Sequence, residues 1–323
     1  MSPADRFLGN RAIVERLEAR LGAGRLPHAL IFSGPPGVGK RTYALRLIQA
    51  LNCPDGGTSG CGECGQCRKV SRGAHPDVIL ISVEADATQI RIEQIRRMRS
   101  MLLLEPIEGR VRACVIDPAE RLTPGAANAL LKVLEEPPAG TYFFLITANA
   151  HELLPTIRSR SQVYHFAPLS TGALRELGVT DELVARWAQG SAGRAGQSDP
   201  EELRRRRDQM LAFLEGGFSG QPEALAELIG APLAPSREDY PEAVRVACVL
   251  VSDLLALKVG FAGRVVNVDV QDRLASLAGS VDMDRLMGAA EQLKFIEANL
   301  RHHLNAQLMT DALLASLSPR NTA

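Results

Sequence analysis

Gly34-Pro35-Pro36-Gly37-Val38-Gly39-Lys40-Arg41-Thr42 falls one residue short of a phosphate-binding loop. Such a loop runs Gly, four free positions, Gly, Lys, then Ser or Thr. The glycines let backbone N–H groups wrap the phosphates, the Lys reaches their oxygens and the hydroxyl holds magnesium. Arg41 stands at the hydroxyl position. Thr42 is no direct substitute, because one step along a helix swings a side chain by about 100°. His28–Ser33 predicts a short buried strand entering the loop, and Tyr43–Ile48 a helix leaving it, which is the strand–loop–helix context the motif requires. Gly34, Gly37, Gly39, Lys40 and Thr42 are therefore the candidate nucleotide-binding residues of a degraded loop. Its ligand would be ATP or ADP, with or without magnesium. Whether Lys40 still binds one stays open.

Outward from the loop, helical patterns alternate with short apolar runs from Arg11 to Phe166, as a parallel α/β sheet requires. The strand candidates are Ala29–Phe32, Val78–Ser82, Arg112–Asp117, Tyr142–Thr147 and Val163–Phe166. Several lack polar alternation, as expected of strands covered by helices on both faces. Ile92–Leu104 and Pro124–Leu134 read as intervening helices, the second stopped by Glu135-Glu136-Pro137-Pro138. After Pro168 the strand patterns end. Leu174–Gln189 reads as a short helical segment broken by Gly190-Ser191-Ala192-Gly193, and residues 201–317 as helices and loops, with one loop around Pro232 and Pro235. The last helix is expected to carry Leu286, Leu293, Leu300, Leu304 and Leu308 as one continuous stripe. Periodicity alone does not choose between core and oligomer seam for it.

The 323 residues predict two or three domains, and 37 basic against 37 acidic residues exclude a globally electrostatic nucleic-acid binder. Met1–Arg6 lacks a signal-peptide pattern, and the apolar stretch Val244–Phe261 is interrupted by Arg245, Asp253 and Lys258, so it predicts a buried helix and not a membrane span. A soluble, cytoplasmic protein is expected. Cys53, Cys61, Cys64 and Cys67 form Cys-x7-Cys-x2-Cys-x2-Cys. Four thiolates on two such tight turns can surround one tetrahedral zinc; a closed four-sulfur site leaves no position for water, so it is structural. Cys114 and Cys248 sit in apolar runs and read as core.

A second ATPase element should be an apolar strand ending in Asp, which anchors magnesium. Cys114-Val115-Ile116-Asp117 fits, but Pro118 replaces the carboxylate that often follows, and Glu120 lies three positions on. Arg41 and Pro118 both point to lost or weak hydrolysis. Pro155-Thr156-Ile157-Arg158-Ser159-Arg160-Ser161 follows the fourth strand. Arg160 there is either a solvated surface charge or, in a ring of P-loop subunits, an arginine finger for the neighbour's nucleotide.

These residues together resemble the delta-prime family of bacterial DNA polymerase III clamp-loader subunits, which are AAA+ proteins. The resemblance runs through Arg25-Leu26-Pro27-His28-Ala29, the four cysteines, His75-Pro76-Asp77 and Arg110–Glu120. Most specific are Ala126–Pro138, with Asn128 and Leu130-Leu131-Lys132, and Ser159-Arg160-Ser161, where the family's usual Cys is Ser161. Gly190–Ala195, with Arg194, resembles the sensor 2 stretch of a helical lid. The resemblance implies an AAA+ P-loop domain over residues 1–168 with a zinc-binding insertion at 53–67, a small helical lid at 169–200 and a C-terminal all-α collar at 201–323. It implies a hetero-oligomeric ring with gamma/tau and delta subunits that opens the sliding clamp and loads it onto primed DNA, within a DNA-directed DNA polymerase whose nucleotidyltransferase chemistry belongs to the complex. Arg160 would act in trans, with Asp117 and Arg194 beside the chain's own loop. Arg91, Arg96, Arg97 and Arg99 could line the DNA chamber or form a solvated face, and Arg204–Arg207 reads as a surface helix. The gamma/tau subunits share the cysteines but keep Thr after the loop Lys and an Asp-Glu pair, so they are the nearest alternative. A stand-alone AAA+ ATPase and a zinc-bearing scaffold are the others.

Overall fold

The apolar runs become strands β1 (Ala29–Ser33), β2 (Val78–Ile81), β3 (Arg112–Ile116), β4 (Thr141–Thr147) and β5 (Gln162–His165). In this computed structural model, which describes residues 7–85, 87–221, 233, 236, 239–300 and 305–318, they pair in the order β2-β3-β4-β1-β5. Every pairing is parallel. The expectations for Met1–Arg6, Pro232, Pro235 and Leu304 lie outside the described residues. Helices α1 (Arg11–Gly22), α2 (Lys40–Asn52), α3 (Gly65–Ser71), α4 (Ile92–Leu102), α5 (Pro124–Glu135) and α6 (Pro155–Ser159) precede or connect the strands. Two compact units result: Met1–Gly178 with Ala188–Gly196, and Val179–Trp187 with Gln197–Ala323.

The absence of alternation in β1 and β3 has a direct cause. Successive strand residues face opposite sides, and each side here meets its own apolar layer. Ala29, Ile31, Cys114 and Ile116 join Ile95 and Leu130 from α4 and α5. Leu30, Phe32, Ala113 and Val115 join Leu17, Leu47 and Ile48 from α1 and α2. In that second layer Phe7, Phe32, Tyr43, Phe144, Tyr164 and Phe166 pack with ring centroids 4.8–6.3 Å apart, so much of a scarce aromatic content sits beneath the phosphate loop.

The His75-Pro76-Asp77 stretch ties distant segments together. His75 shares a hydrogen bond with Gln66 of α3, 2.5 Å away. Asp77, 1% exposed, accepts from the backbone N–H groups of Ile107 (2.8 Å), Glu108 (2.9 Å) and Gly109 (2.8 Å). Burial raises the Asp77 pKa, but those three N–H groups outweigh it and hold the carboxyl below the usual carboxylate range. A depressed folded-state pKa contributes stability above the unfolded value and loses it as pH falls through the folded one. Asp77→Ala is expected to cost about 3–5 kcal/mol at neutral pH, since the buried Arg112, 3.8 Å away, and three backbone N–H groups lose their partner. Denaturant titrations should show the gap between wild type and variant narrowing below roughly pH 4; a gap that persists there would contradict the charge-based account.

The second unit is helical. Its main helices are Pro200–Ser219, Tyr240–Lys258, Gln271–Ser280, Met283–Asn299 and Ala306–Leu317, around buried Leu211, Leu250, Leu254, Leu286, Leu293 and Leu313. Tyr240–Lys258 is the expected buried helix, and no helix among the described residues is long and apolar enough to cross a membrane. Asp253 within it is 1% exposed and accepts from Val266 N, Asn267 N and Asn267 Nδ2 at 2.7–2.9 Å, which fastens the following loop.

Two expectations are corrected here. The leucine stripe is not on one helix: Met283–Asn299 ends before Leu300, and Leu308 lies on the next helix and is 67% exposed. Among the described residues of the set, only Leu286 and Leu293 are core. Nor is Arg204–Arg207 wholly surface. Arg207 is 4% exposed and pairs with Asp269 at 2.6 Å, while Arg204, Arg205 and Arg206 pair with Asp181, Glu202 and Asp239.

Candidate functional site

The loop leaves the carboxyl end of β1, between β4 and β5 in the sheet, where ligands of parallel α/β folds bind. Two glycines are forced by their surroundings. At Gly34 an added Cβ would lie 2.1 Å from the Phe166 carbonyl oxygen. At Gly37, with φ of 76°, it would lie 2.1 Å from Ser191 Oγ, and the Gly37 carbonyl accepts from Gly193 N at 3.1 Å. The loop is thus pinned to the Ser191–Gly193 stretch.

A cavity of about 340 Å³ opens over the loop, lined by Gly37, Gly39, Lys40, Arg41, Thr42, Asp117, Glu120 and Gly193 among others. Lys40 is the first residue of α2 and 6% exposed; its ammonium donates to the carbonyls of Gly34 and Pro35, the latter at 2.6 Å. Burial lowers its pKa, against the pull of Asp117 and Glu120. Burial likewise pushes the Asp117 carboxyl up, while Arg41 and Lys40 favour its charged form. Arg41 Nη1 stands 3.9 Å from Asp117 Oδ2. The residues present do not fit a magnesium ion. The hydroxyl that should hold it is a guanidinium, and the carboxylate opposite already faces that cation.

The expected residues are brought together unevenly. Gly37, Gly39, Lys40, Thr42 and Asp117 line the cavity; Gly34 and Arg194 do not. Arg194 donates from Nη1 to the Ala188 carbonyl at 3.3 Å. Sequence reasoning set Glu120 aside for lying three residues past Asp117, yet a single 3-10 turn, Ala119–Arg121, carries it to the cavity wall. One of its oxygens accepts from Ala148 N at 3.3 Å and the other is buried without a hydrogen-bond partner. The Asp117-Pro118 pair, which favours a turn, is the sequence signal for it.

The sulfur atoms of Cys53, Cys61, Cys64 and Cys67 all lie within 4.8 Å of one another. Cys53–Cys64 and Cys61–Cys67 are both 4.0 Å apart, near the edge of about 3.8 Å that four thiolates make around a tetrahedral zinc. Backbone N–H groups of Cys64 and Cys67 point at the sulfurs of Cys61 and Cys64 at 3.2 and 3.4 Å. Burial pushes the Cys67 thiol up to about 12, and a cation among the sulfurs would favour its thiolate. The cluster could hold a metal ion. Cys114 is buried and Cys248 half-buried, in keeping with core roles.

Arg160 caps α6. Its Nη2 meets Glu135 Oε1 at 2.7 Å, and Nη1 donates to the Thr156 carbonyl (3.1 Å) and Ser159 Oγ (3.3 Å). It does not line this chain's own cavity. Glu135 is the last residue of α5, whose start is fixed by Thr123 accepting from Ala126 N at 3.2 Å. Arg91 precedes α4, Arg96, Arg97 and Arg99 lie on it, and all four are exposed.

A family model described as DNA polymerase III, delta subunit, matches residues 9–170, and one for the C-terminal part of the delta subunit matches residues 233–318. DNA polymerase III subunit delta' of Escherichia coli (strain K12) is 32% identical over 316 residues, 93% of this chain and 92% of that one. Subunit gamma/tau of Mycobacterium bovis is 35% identical over 171 residues, 53% of this chain but 29% of that protein. A solved gamma subunit-related protein from Thermotoga maritima matches 95% of this chain and 96% of its own, at 19% identity and a TM-score of 0.45.

Proposed function

The chain belongs to the delta-prime family of bacterial DNA polymerase III clamp-loader subunits, and from that premise we propose that it is the non-hydrolysing member of a clamp-loader ring, lending Arg160 to the ATP of a neighbouring gamma/tau subunit. One pairing of observations carries this reading: the residue at the magnesium-hydroxyl position is Arg41, while Arg160 is retained outside the chain's own cavity. A subunit that cannot run its own site yet keeps a finger has a use only beside another site. Residues 201–323 serve as the collar, 169–200 as the lid, and the ring, with gamma/tau and delta, loads the sliding clamp onto primed DNA in the cytoplasm. One zinc on Cys53, Cys61, Cys64 and Cys67 holds the insertion in shape. Glu120 returns a carboxylate to the wall of the nucleotide cavity, but Arg41 still stands at the position of the magnesium-binding hydroxyl.

The test uses the isolated chain and its partners. Mixed with gamma/tau and delta subunits, the chain should enter one complex on size exclusion. Alone, its ATP turnover should lie far below the ~10 s⁻¹ median of ordinary enzymes. Turnover near that rate would favour the stand-alone ATPase, and failure to enter a complex would remove the ring assignment.

A further inference from the structure

We propose that the cavity over the phosphate loop is a magnesium-independent nucleotide site, in which the Arg41 guanidinium occupies the cation's position and a free nucleoside diphosphate is the ligand. This rests on the loop and cavity of this chain and is independent of the ring assignment.

The cradle keeps its backbone form. Gly37 has a left-handed φ of 76°, Gly39 sits at 91°, and Lys40, whose ammonium donates to the Gly34 and Pro35 carbonyls, lines a cavity of about 340 Å³. What departs from a hydrolysing loop is the cation. An ordinary loop of this kind sets a Lys and a divalent ion against an Asp and a Glu, leaving one positive charge over. Here Lys40 and Arg41 face Asp117 and Glu120, so the wall is neutral. Arg41 is the residue that answers Asp117, at 3.9 Å, and its side chain is 51% exposed, so its remaining donors are open to an anion. A guanidinium is always charged, presents five donors in a planar fork and binds phosphate oxygens in pairs. It can therefore bridge carboxylate and phosphate as the metal would.

The charge balance also chooses the ligand. One positive charge fewer than a metal-loaded loop favours the ligand with one phosphate fewer. Magnesium already chelated by the nucleotide has no place either, since it would be driven against Arg41. Binding should therefore survive chelation, and excess magnesium should weaken it by withdrawing free diphosphate.

The experiment is calorimetric titration of ADP into the full-length chain, in excess EDTA and again in excess magnesium. Wild type is expected to bind in EDTA and more weakly with magnesium. Arg41→Ala should weaken binding in EDTA by roughly 10- to 100-fold, the range for a charge-assisted hydrogen bond. Arg41→Thr restores the hydroxyl and should bind only when magnesium is present. Arg41 is half-exposed, so both variants should keep the wild-type circular dichroism and melting point. No binding by folded wild type at millimolar ADP, binding that requires magnesium, or an Arg41→Ala variant that binds as wild type would each overturn the assignment. None of these outcomes bears on complex formation or on Arg160, so the ring reading stands or falls separately.

Discussion

Arg160→Ala is expected to leave the chain folded and the complex assembled while ATP turnover at the neighbouring site falls by about 10³-fold or more, as when a finger is removed from a GTPase. The fold should tolerate the change because Arg160 is partly exposed, and its contacts to Glu135, Thr156 and Ser159 are surface contacts of modest worth. Arg160→Lys should not rescue the rate, since a point ammonium cannot reproduce the planar fork on phosphate oxygens. The measurement is single-turnover ATP hydrolysis and clamp loading by the reconstituted complex, with assembly checked by size exclusion. A complex that turns over and loads at the wild-type rate would return Arg160 to an ordinary surface charge.

A metal held by the four cysteines should add to stability. Structural zinc in small finger peptides is worth ~10–16 kcal/mol in apparent terms. Only part of that should appear here, because Cys53 and Cys67 are also packed into the α/β unit and Gln49 holds the Cys67 carbonyl at 2.9 Å. Purified chain should carry one zinc, and its four thiols should resist titration until a chelator is added. Cys64→Ser should lower the melting temperature by roughly 5–10 °C, whereas Cys248→Ser should leave the zinc content unchanged. Metal-free protein with four freely titrating thiols would exclude the assignment.

What could be read beforehand follows from how local each signal is. β1, β3 and β4 were legible because a strand covered on both faces must be apolar at nearly every position, and a run such as Ala29–Ser33 has no other reading beside a glycine loop. The four cysteines were legible because ligand spacing is itself a local geometry. The leucine stripe failed because spacings of seven and four continue across a helix end that side-chain periodicity does not register. Arg207 was misread because its burial depends on Asp269, which lies in another segment. The same holds for Arg41 and Asp117: the first was suspect in the sequence and the second fitted its expected role, but only the sheet brings the two together. Glu120 was missed because residue counting assumes an extended chain, and one tight turn alters where a side chain arrives.

The Arg41–Asp117 pair also bears on time. A metal ion arrives with its nucleotide and departs with the product, so the local field of an ordinary loop rises and falls once per turnover. The guanidinium of Arg41 is covalently part of α2 and does neither. Its charge is present at every moment and does not depend on magnesium supply. A loop wired in this way has no clock of its own, which suits a component that must hold still while its neighbours cycle.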